Sequence, residues 1–408
     1  MTVAAVENLL PENTRAELPA KKDEVAVHLG KLVGLAVEWH GESDAAKARA
    51  ITDALTYEAT PEEVVAALGF AEATIQDPSA LGDVHFGLAD RLVNGLSFSQ
   101  QSSSLRMQMG LSLLENSVVM EPKKKVDLLE QAVTCILTNR SPHQHTEFPV
   151  FEDDDRLGLY RQAVALKLAT LEKWDSAGPK AIDAALGILV PSKDNEGFVR
   201  RNASTEVIER ACKYIINHLP TKDLAKRQKA IEAVIEWTLD PAIINQATEA
   251  AQSLYGQYQT NLAAAKNEVS AAESQLQQAR EQWLKRALTK KARQRRQAAK
   301  SEIETAHRKL HGAKELTLLN ERGLFRLMTN LTNIGRNGLI FFAAIPEGQK
   351  LLKFIAQNDQ DFVRDGAKAA FEQGYKDYAS GDHEDYVTDE SLKKARAFLT
   401  GPEMGVQL

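Results

Sequence analysis

Residues 255–283, YGQYQTNLAAAKNEVSAAESQLQQAREQW, decide how this chain is read. Tyr255, Leu262, Val269, Leu276 and Trp283 stand seven apart, and Tyr258, Ala265, Ala272 and Ala279 follow the first four at a distance of three. Alternating steps of three and four put one stripe of a helix against a second helix, which is the heptad pattern of a coiled coil. Between Gly256 and Gly312 there is neither glycine nor proline, and alanine, glutamine and charge dominate.

A second series, Ala299, Ile303, Ala306, Leu310 and Ala313, repeats the alternation, but Trp283 and Ile303 are 20 residues apart, one short of the multiple of seven that an unbroken register needs. Pairing Trp283 with Ile303 and Leu276 with Leu310 gives a common centre near residue 293. The spacing therefore predicts an antiparallel hairpin. An outgoing arm spans 255–283, a turn falls within 290–296, and a return arm reaches Leu319. Each arm is about 40 Å long at the helical rise. The turn holds no glycine, proline or asparagine. A single helix of about 55 residues that dimerises through its first half is therefore the alternative, and a homodimer is its consequence.

Between the two series lies LKRALTKKARQRRQAAK, residues 284–300, with eight cations and no carboxylate in a chain of net charge −6. The cations are Lys285, Arg286, Lys290, Lys291, Arg293, Arg295, Arg296 and Lys300. Mixed charge would keep a coil tip soluble equally well; charge of one sign concentrates positive potential and draws anions. The strip contains no aromatic residue on which a base could stack. An acidic protein surface is the favoured partner, with a nucleic-acid backbone next and an anionic membrane surface also matching the charge.

Away from the coil the chain reads as helices of ordinary length. In TPEEVVAALGFAEATIQDP, residues 60–78, Thr60 caps, Pro61 suits the first helical position, Glu63 completes a capping box and Asp77-Pro78 ends the run. Further proline stops fall at 122, 142, 191, 220, 241 and 346. KKVDLLE at Lys124, KAIDAAL at Lys180 and KAIEAVI at Lys229 echo one another at intervals of 56 and 49 residues, and a second amphipathic stretch follows each of the last two. This repeated helix–turn–helix resembles HEAT or armadillo repeats, and the resemblance implies an α-solenoid in which stacked pairs share one core. A nonrepeating helical domain is the alternative.

The fold class expected is thus all-α, a HEAT/armadillo-like helical-repeat solenoid with an inserted antiparallel coiled-coil hairpin. Its parts are an N-terminal arm (1–20), a repeat domain (21–254), the hairpin (255–319) with its basic tip (284–300), and a C-terminal helical region (320–408) packing on the repeats. In the last of these, GRNG at 335–338 reads as a turn, and the acidic loop SGDHEDYVTDES leads to a helix over 392–399 capped by Thr388 or Asp389.

Composition bounds the rest: 43% apolar and 26% charged residues over 408 positions are values of a folded chain, and few aromatics with much alanine favour helix-on-helix packing. The two cysteines, Cys135 and Cys212, are too few for a disulfide framework and point to a reducing, cytoplasmic setting. The acids and prolines of the first 19 residues argue against an export signal, and GLIFFAAIP at 338–346 is about half the length of a bilayer span.

Candidate chemical groups are few. His143 and His145 near Glu147 and 153–155 could suggest a metal, but the histidines follow a proline without a strand pattern, and the acids suit a helix start. Glu304, His307 and His311 lack the second Glu-x-x-His that a di-iron bundle needs. The serine run at 95–104 fits a linker or cap, and phosphate-binding glycine loops, zincin and kinase signatures are missing. The expectation is a non-catalytic scaffold with no cofactor and no metal. Its alternative is a nucleic-acid-binding protein that uses the strip as a backbone clamp, and an enzyme of unrecognised type comes third.

Overall fold

In the computed structural model the described residues are 2–95, 100–140, 149–174, 179–189, 204–284, 290–359, 361–381 and 387–408. They form 17 α-helices and one π-helical turn, with no strand among them. The chain divides into two compact units, Met1–Tyr214 and Ile215–Leu408. The compositional boundaries at 20/21, 254/255 and 319/320 each lie inside a continuous helix.

The first unit runs α1 (Thr2–Glu7), α2 (Glu12–His40), α3 (Asp44–Ala54), α4 (Pro61–Thr74), α5 (Pro78–Asn94), α6 (Gln100–Asn116), α7 (Pro122–Thr138), α8 (Asp153–Glu172), α9 (Pro179–Leu189) and most of α10 (Thr205–Asn217). Prolines begin helices here as much as they end them. Pro61, Pro78, Pro122 and Pro179 occupy first helical positions, where a missing N–H is no loss. The capping box of α4 is present: the Glu63 N–H donates to Thr60 Oγ1, and the Thr60 N–H donates to the Glu63 carboxylate at 2.9 Å. Asp77 both closes the α4 segment and caps α5, accepting from the Ser79 N–H at 3.1 Å.

Most helices in this unit pack on their next and next-but-one neighbours, α2 on α3 and α4, α5 on α6 and α7, and α8 on α6 and α7, while α1 packs on α4 and α6. The shared core includes Val64, Leu68, Leu88, Leu92, Leu111, Leu114, Leu129, Ile136, Val164 and Leu168, each no more than 1% exposed. Two arginines close the ends. Arg106, buried, donates to the carbonyls of Ala59, Tyr57 and Arg91, and Arg91 donates to Leu55 O at 2.9 Å. Together they fasten the α3–α4 loop to the C-terminus of α5, where carbonyls lack intrahelical partners. The serine run is helical from Gln100 onward, with Ser103 fully buried, and its first part lies outside the described residues.

The second unit holds α11 (Leu224–Trp237), α12 (Pro241–Leu284), α13 (Lys290–Asn337), α14 (Leu339–Ala344), α15 (Pro346–Asn358), the π-helical turn Phe362–Gly366, α16 (Ala367–Ser380) and α17 (Asp389–Thr400). The apolar run at 338–346 supplies buried Leu339, Ile340 and Phe342 to this core. GRNG does not form a turn along its length. Gly335 is inside α13, where a Cβ would lie 2.8 Å from Ile355, and the helix breaks only at Gly338. Thr388, rather than Asp389, caps α17, with Ser391 returning the bond.

The three echoed segments lie in α7, α9 and α11, the third starting more than a turn into its helix, and their matching apolar residues are buried: Val126 and Leu129, Ile182 and Ala185, Ile231 and Val234. No described helix is long and apolar enough to cross a membrane.

Candidate cationic site at the end of two paired helices

The two longest helices, α12 and α13, lie side by side and antiparallel. Lys266 pairs with Glu321 at 3.2 Å, Glu273 with Lys314 at 3.5 Å, and Arg280 approaches His307 at 3.5 Å. All three pairs are symmetric about one point between residues 293 and 294, within a residue of the centre that the sequence gives.

The seam differs from the expected one. Tyr258, Ala265, Ala272 and Ala279 on α12 are buried, as are Ala299, Ala306 and Ala313 on α13. Of the other row, Leu276 is buried, Leu262 and Val269 are half-buried, and Trp283 is 37% exposed. Tyr255 turns away to make an edge contact with Phe354 at 5.6 Å. The alanine row is therefore the centre of the contact and the large side chains flank it, because helices that meet through methyl groups approach closely enough to exclude bulk between them. At the foot of the pair, a Cβ on Gly323 would lie 2.4 Å from the Tyr258 ring.

The expected turn at 290–296 is not there. Those residues are the first turns of α13, and residues 285–289 lie outside the described residues. Alanine, arginine, lysine and glutamine fill 290–300, all strong helix formers, and nothing in the segment breaks a helix.

This places the candidate residues as follows. Arg293, Arg295, Arg296 and Lys300 are exposed on α13. Lys290 and Lys291 start the same helix, and Lys285 and Arg286 lie outside the described residues. No described ion pair engages Arg293, Arg295, Arg296 or Lys300, although carboxylates partner the lysines further along both helices. The first turn of α13 carries no acid. Cations there oppose the positive end of the helix dipole, a cost of roughly 0.3–1 kcal/mol each.

A feature hidden from the sequence is that Arg296 lies over the indole of Trp283, 4.5 Å from the ring centroid. Trp283, Arg293, Arg296, Gln297 and Lys300 line a shallow recess of about 300 Å³. Positions 293, 296, 297 and 300 share one helical face, while Arg295 points a quarter-turn or more away. The strip contains no aromatic, yet the partner helix brings one against it. The two residues are 13 apart in sequence, and a register centred between 293 and 294 sets Trp283 opposite Glu304 rather than Arg296, so periodicity alone does not give the contact.

Elsewhere the ionisable groups act within the fold. His307 faces Arg280 and His311 lies 3.5 Å from Glu315, both on exposed surface. His143 and His145 lie outside the described residues, and Asp153 begins α8 after Glu152. Among the described residues no three His, Cys, Asp or Glu side chains are grouped to hold a metal. Cys135 and Cys212 are buried and unpaired; burial pushes the Cys135 thiol up to about 12 and Cys212 in the same direction.

Two arrangements were not foreseen. His85 Nδ1 is 2.9 Å from Ser117 Oγ, and its Nε2 is 3.8 Å from Glu72. The order of atoms is that of a nucleophile, a base and an orienting acid. Yet Ser117 and His85 are 1% and 2% exposed, and the serine oxygen also accepts from the Met120 N–H, so the group locks α5 to the loop after α6. Burial holds His85 down at about 4. In the second unit, Glu232 accepts from Gln228 at 2.7 Å and Asn330 at 2.9 Å, and burial raises it to about 7. A cleft of about 920 Å³ there gathers Arg336, Asp361, Asp365 and Asp377 around Gly338 and Gly366.

Compared with known proteins, the chain matches no family model, no curated protein and no solved structure.

Proposed function

We propose that this chain is a non-catalytic scaffold or adaptor, a helical-repeat solenoid of HEAT/armadillo-like type with an inserted antiparallel coiled-coil hairpin. One macromolecule is held on the helical array and another, acidic, is gripped by the hairpin's cationic end. The observation that carries this reading is the set of four exposed cations, Arg293, Arg295, Arg296 and Lys300, with no described carboxylate on any of them. Charge of one sign kept without a carboxylate is unexplained by stability and is well suited to an anion supplied from outside. Stacking of successive helix neighbours and the echo within α7, α9 and α11 support the repeat reading.

The test replaces Lys290, Lys291, Arg293, Arg295 and Arg296 by glutamate and compares partners captured from the native cell by the two proteins. The expected result is loss of the tip-dependent partners with a melting temperature unchanged or slightly raised, since acids suit the first turns of a helix. Capture of the same partners by the charge-reversed chain removes the tip from the account.

A second reading, a nucleic-acid clamp, gains from Trp283, whose ring beside Arg296 offers stacking next to phosphate-binding cations. Titration with duplex and single-stranded nucleic acid at two salt concentrations separates the two: steeply salt-dependent binding favours the clamp, and none at low salt excludes it.

A further inference from the structure

We infer that the cationic end of the α12–α13 pair is a docking point for an anionic lipid surface, with Trp283 and Leu284 entering the headgroup layer and Arg293, Arg295, Arg296 and Lys300 lying against its phosphates and carboxylates. The inference rests on the reading above only in taking this end as the gripping element.

Three observations carry it. The first is the company the cations keep. Leu284 is 71% exposed at the last residue of α12, and its neighbour Trp283 is 37% exposed. A nucleic-acid clamp has use for the indole but none for an open leucine. An interface between water and hydrocarbon has use for both: indoles concentrate at headgroup depth, and a leucine beside them enters the acyl boundary.

The second is the state of Trp283. The guanidinium of Arg296 covers one face of its ring at 4.5 Å and shares a recess with Arg293 and Lys300. A stacked guanidinium keeps its N–H edge free for phosphate while its flat face stays on the ring. The ring and the cations are thus presented together, as the boundary layer of a bilayer would meet them.

The third is distance. With the strip's eight cations set aside, the rest of the second unit, residues 215–408, carries −4. The cations stand apart from most of that charge along α12. The 28 residues from Gly256 to Leu284 span about 42 Å of helix. That is about five Debye lengths at physiological salt. The acids near the tip are few: Glu281 on α12, which accepts from Gln277, and Glu302 and Glu304 on α13, all exposed. A surface meeting this part of α12 and α13 meets cations with few acids beside them.

The experiment is co-sedimentation of the full chain with phosphatidylcholine vesicles, with and without phosphatidylserine, at low and at physiological salt. Binding is expected only to the vesicles containing phosphatidylserine and should weaken with salt. Arg293→Glu, Arg295→Glu, Arg296→Glu and Lys300→Glu together should reduce it on the order of a hundredfold or more. Leu284→Ser should weaken it severalfold with the charge intact, and a blue shift of indole emission on binding should vanish in Trp283→Phe. Circular dichroism of each variant checks that the helices persist.

No sedimentation with phosphatidylserine at low salt overturns the lipid inference, as does equal binding to vesicles without it. Binding that is indifferent to Leu284→Ser, together with tight binding of a single-stranded oligonucleotide, moves the site to nucleic acid and overturns it too. If vesicles fail while the charge-reversed chain still loses its captured protein partners, the adaptor reading stands alone; if both fail, the tip has no part in either.

Discussion

His85 shows how one buried side chain ties stability to pH. Its Nδ1 is bonded to Ser117 while its Nε2 is buried without a hydrogen-bond partner, and burial holds its folded value at about 4, below the 6.5 of a free imidazole. The unfolded chain therefore binds the extra proton first. Stability from this residue is full above about pH 6.5 and is lost as pH falls towards 4, by roughly 3 kcal/mol in all. Glu232 has the opposite sign: its value is raised to about 7, so its contribution is full below the ordinary carboxylate range and is lost as pH rises through 7. Nuclear magnetic resonance of the His85 ring should show no titration until about pH 4, whereas a midpoint near 6.5 would contradict this account of its burial. Neither group was legible in the sequence, because a histidine or glutamate inside a helix is marked only by the neighbours that other helices bring to it. Trp283 and Arg296 were missed for the same reason.

At the scale of the helix pair, the alanine seam makes a sharp prediction. Leucine at Ala272 or Ala306 must force apart helices that meet through methyl groups, at about 1–3 kcal/mol each. Hydrogen exchange of amides in α12 and α13 should quicken markedly, while Leu262→Ala, which trims a flanking side chain, should leave them close to the parent. The reverse ranking would restore the row of large residues as the seam. Much of this element was legible. Two heptad series and a 20-residue offset fixed the antiparallel register to within a residue, because the seam period survives folding unchanged. What periodicity could not give was which of two adjacent rows is innermost, a matter of how closely two particular helices approach. The symmetry of the two series puts a turn at 290–296, yet the alanines, arginines, lysines and glutamines there are helix formers and those residues are helical. The prolines were read mainly as stops, and six of them stand at first helical positions, where the same missing N–H is tolerated.

For the whole molecule, helical content and the capped boundaries follow from the sequence. Composition changes after Gly256, yet α12 runs from Pro241 to Leu284 without a break, and the compact units part at Tyr214/Ile215. A change in what a helix faces alters its composition without ending it. The functional account then depends on one arrangement, in which α12 and α13 of the same chain pair and carry a patch of cations and apolar side chains at their common end. Carbodiimide coupling, read by mass spectrometry on a mixture of light and heavy isotope-labelled chains, tests that pairing on the unmodified protein. The account predicts amide links joining Lys266 to Glu321 and Lys314 to Glu273 with both halves of each link from one chain. Links that join light to heavy chains, or lysines of α12 coupled to acids in another register of α13, would contradict it.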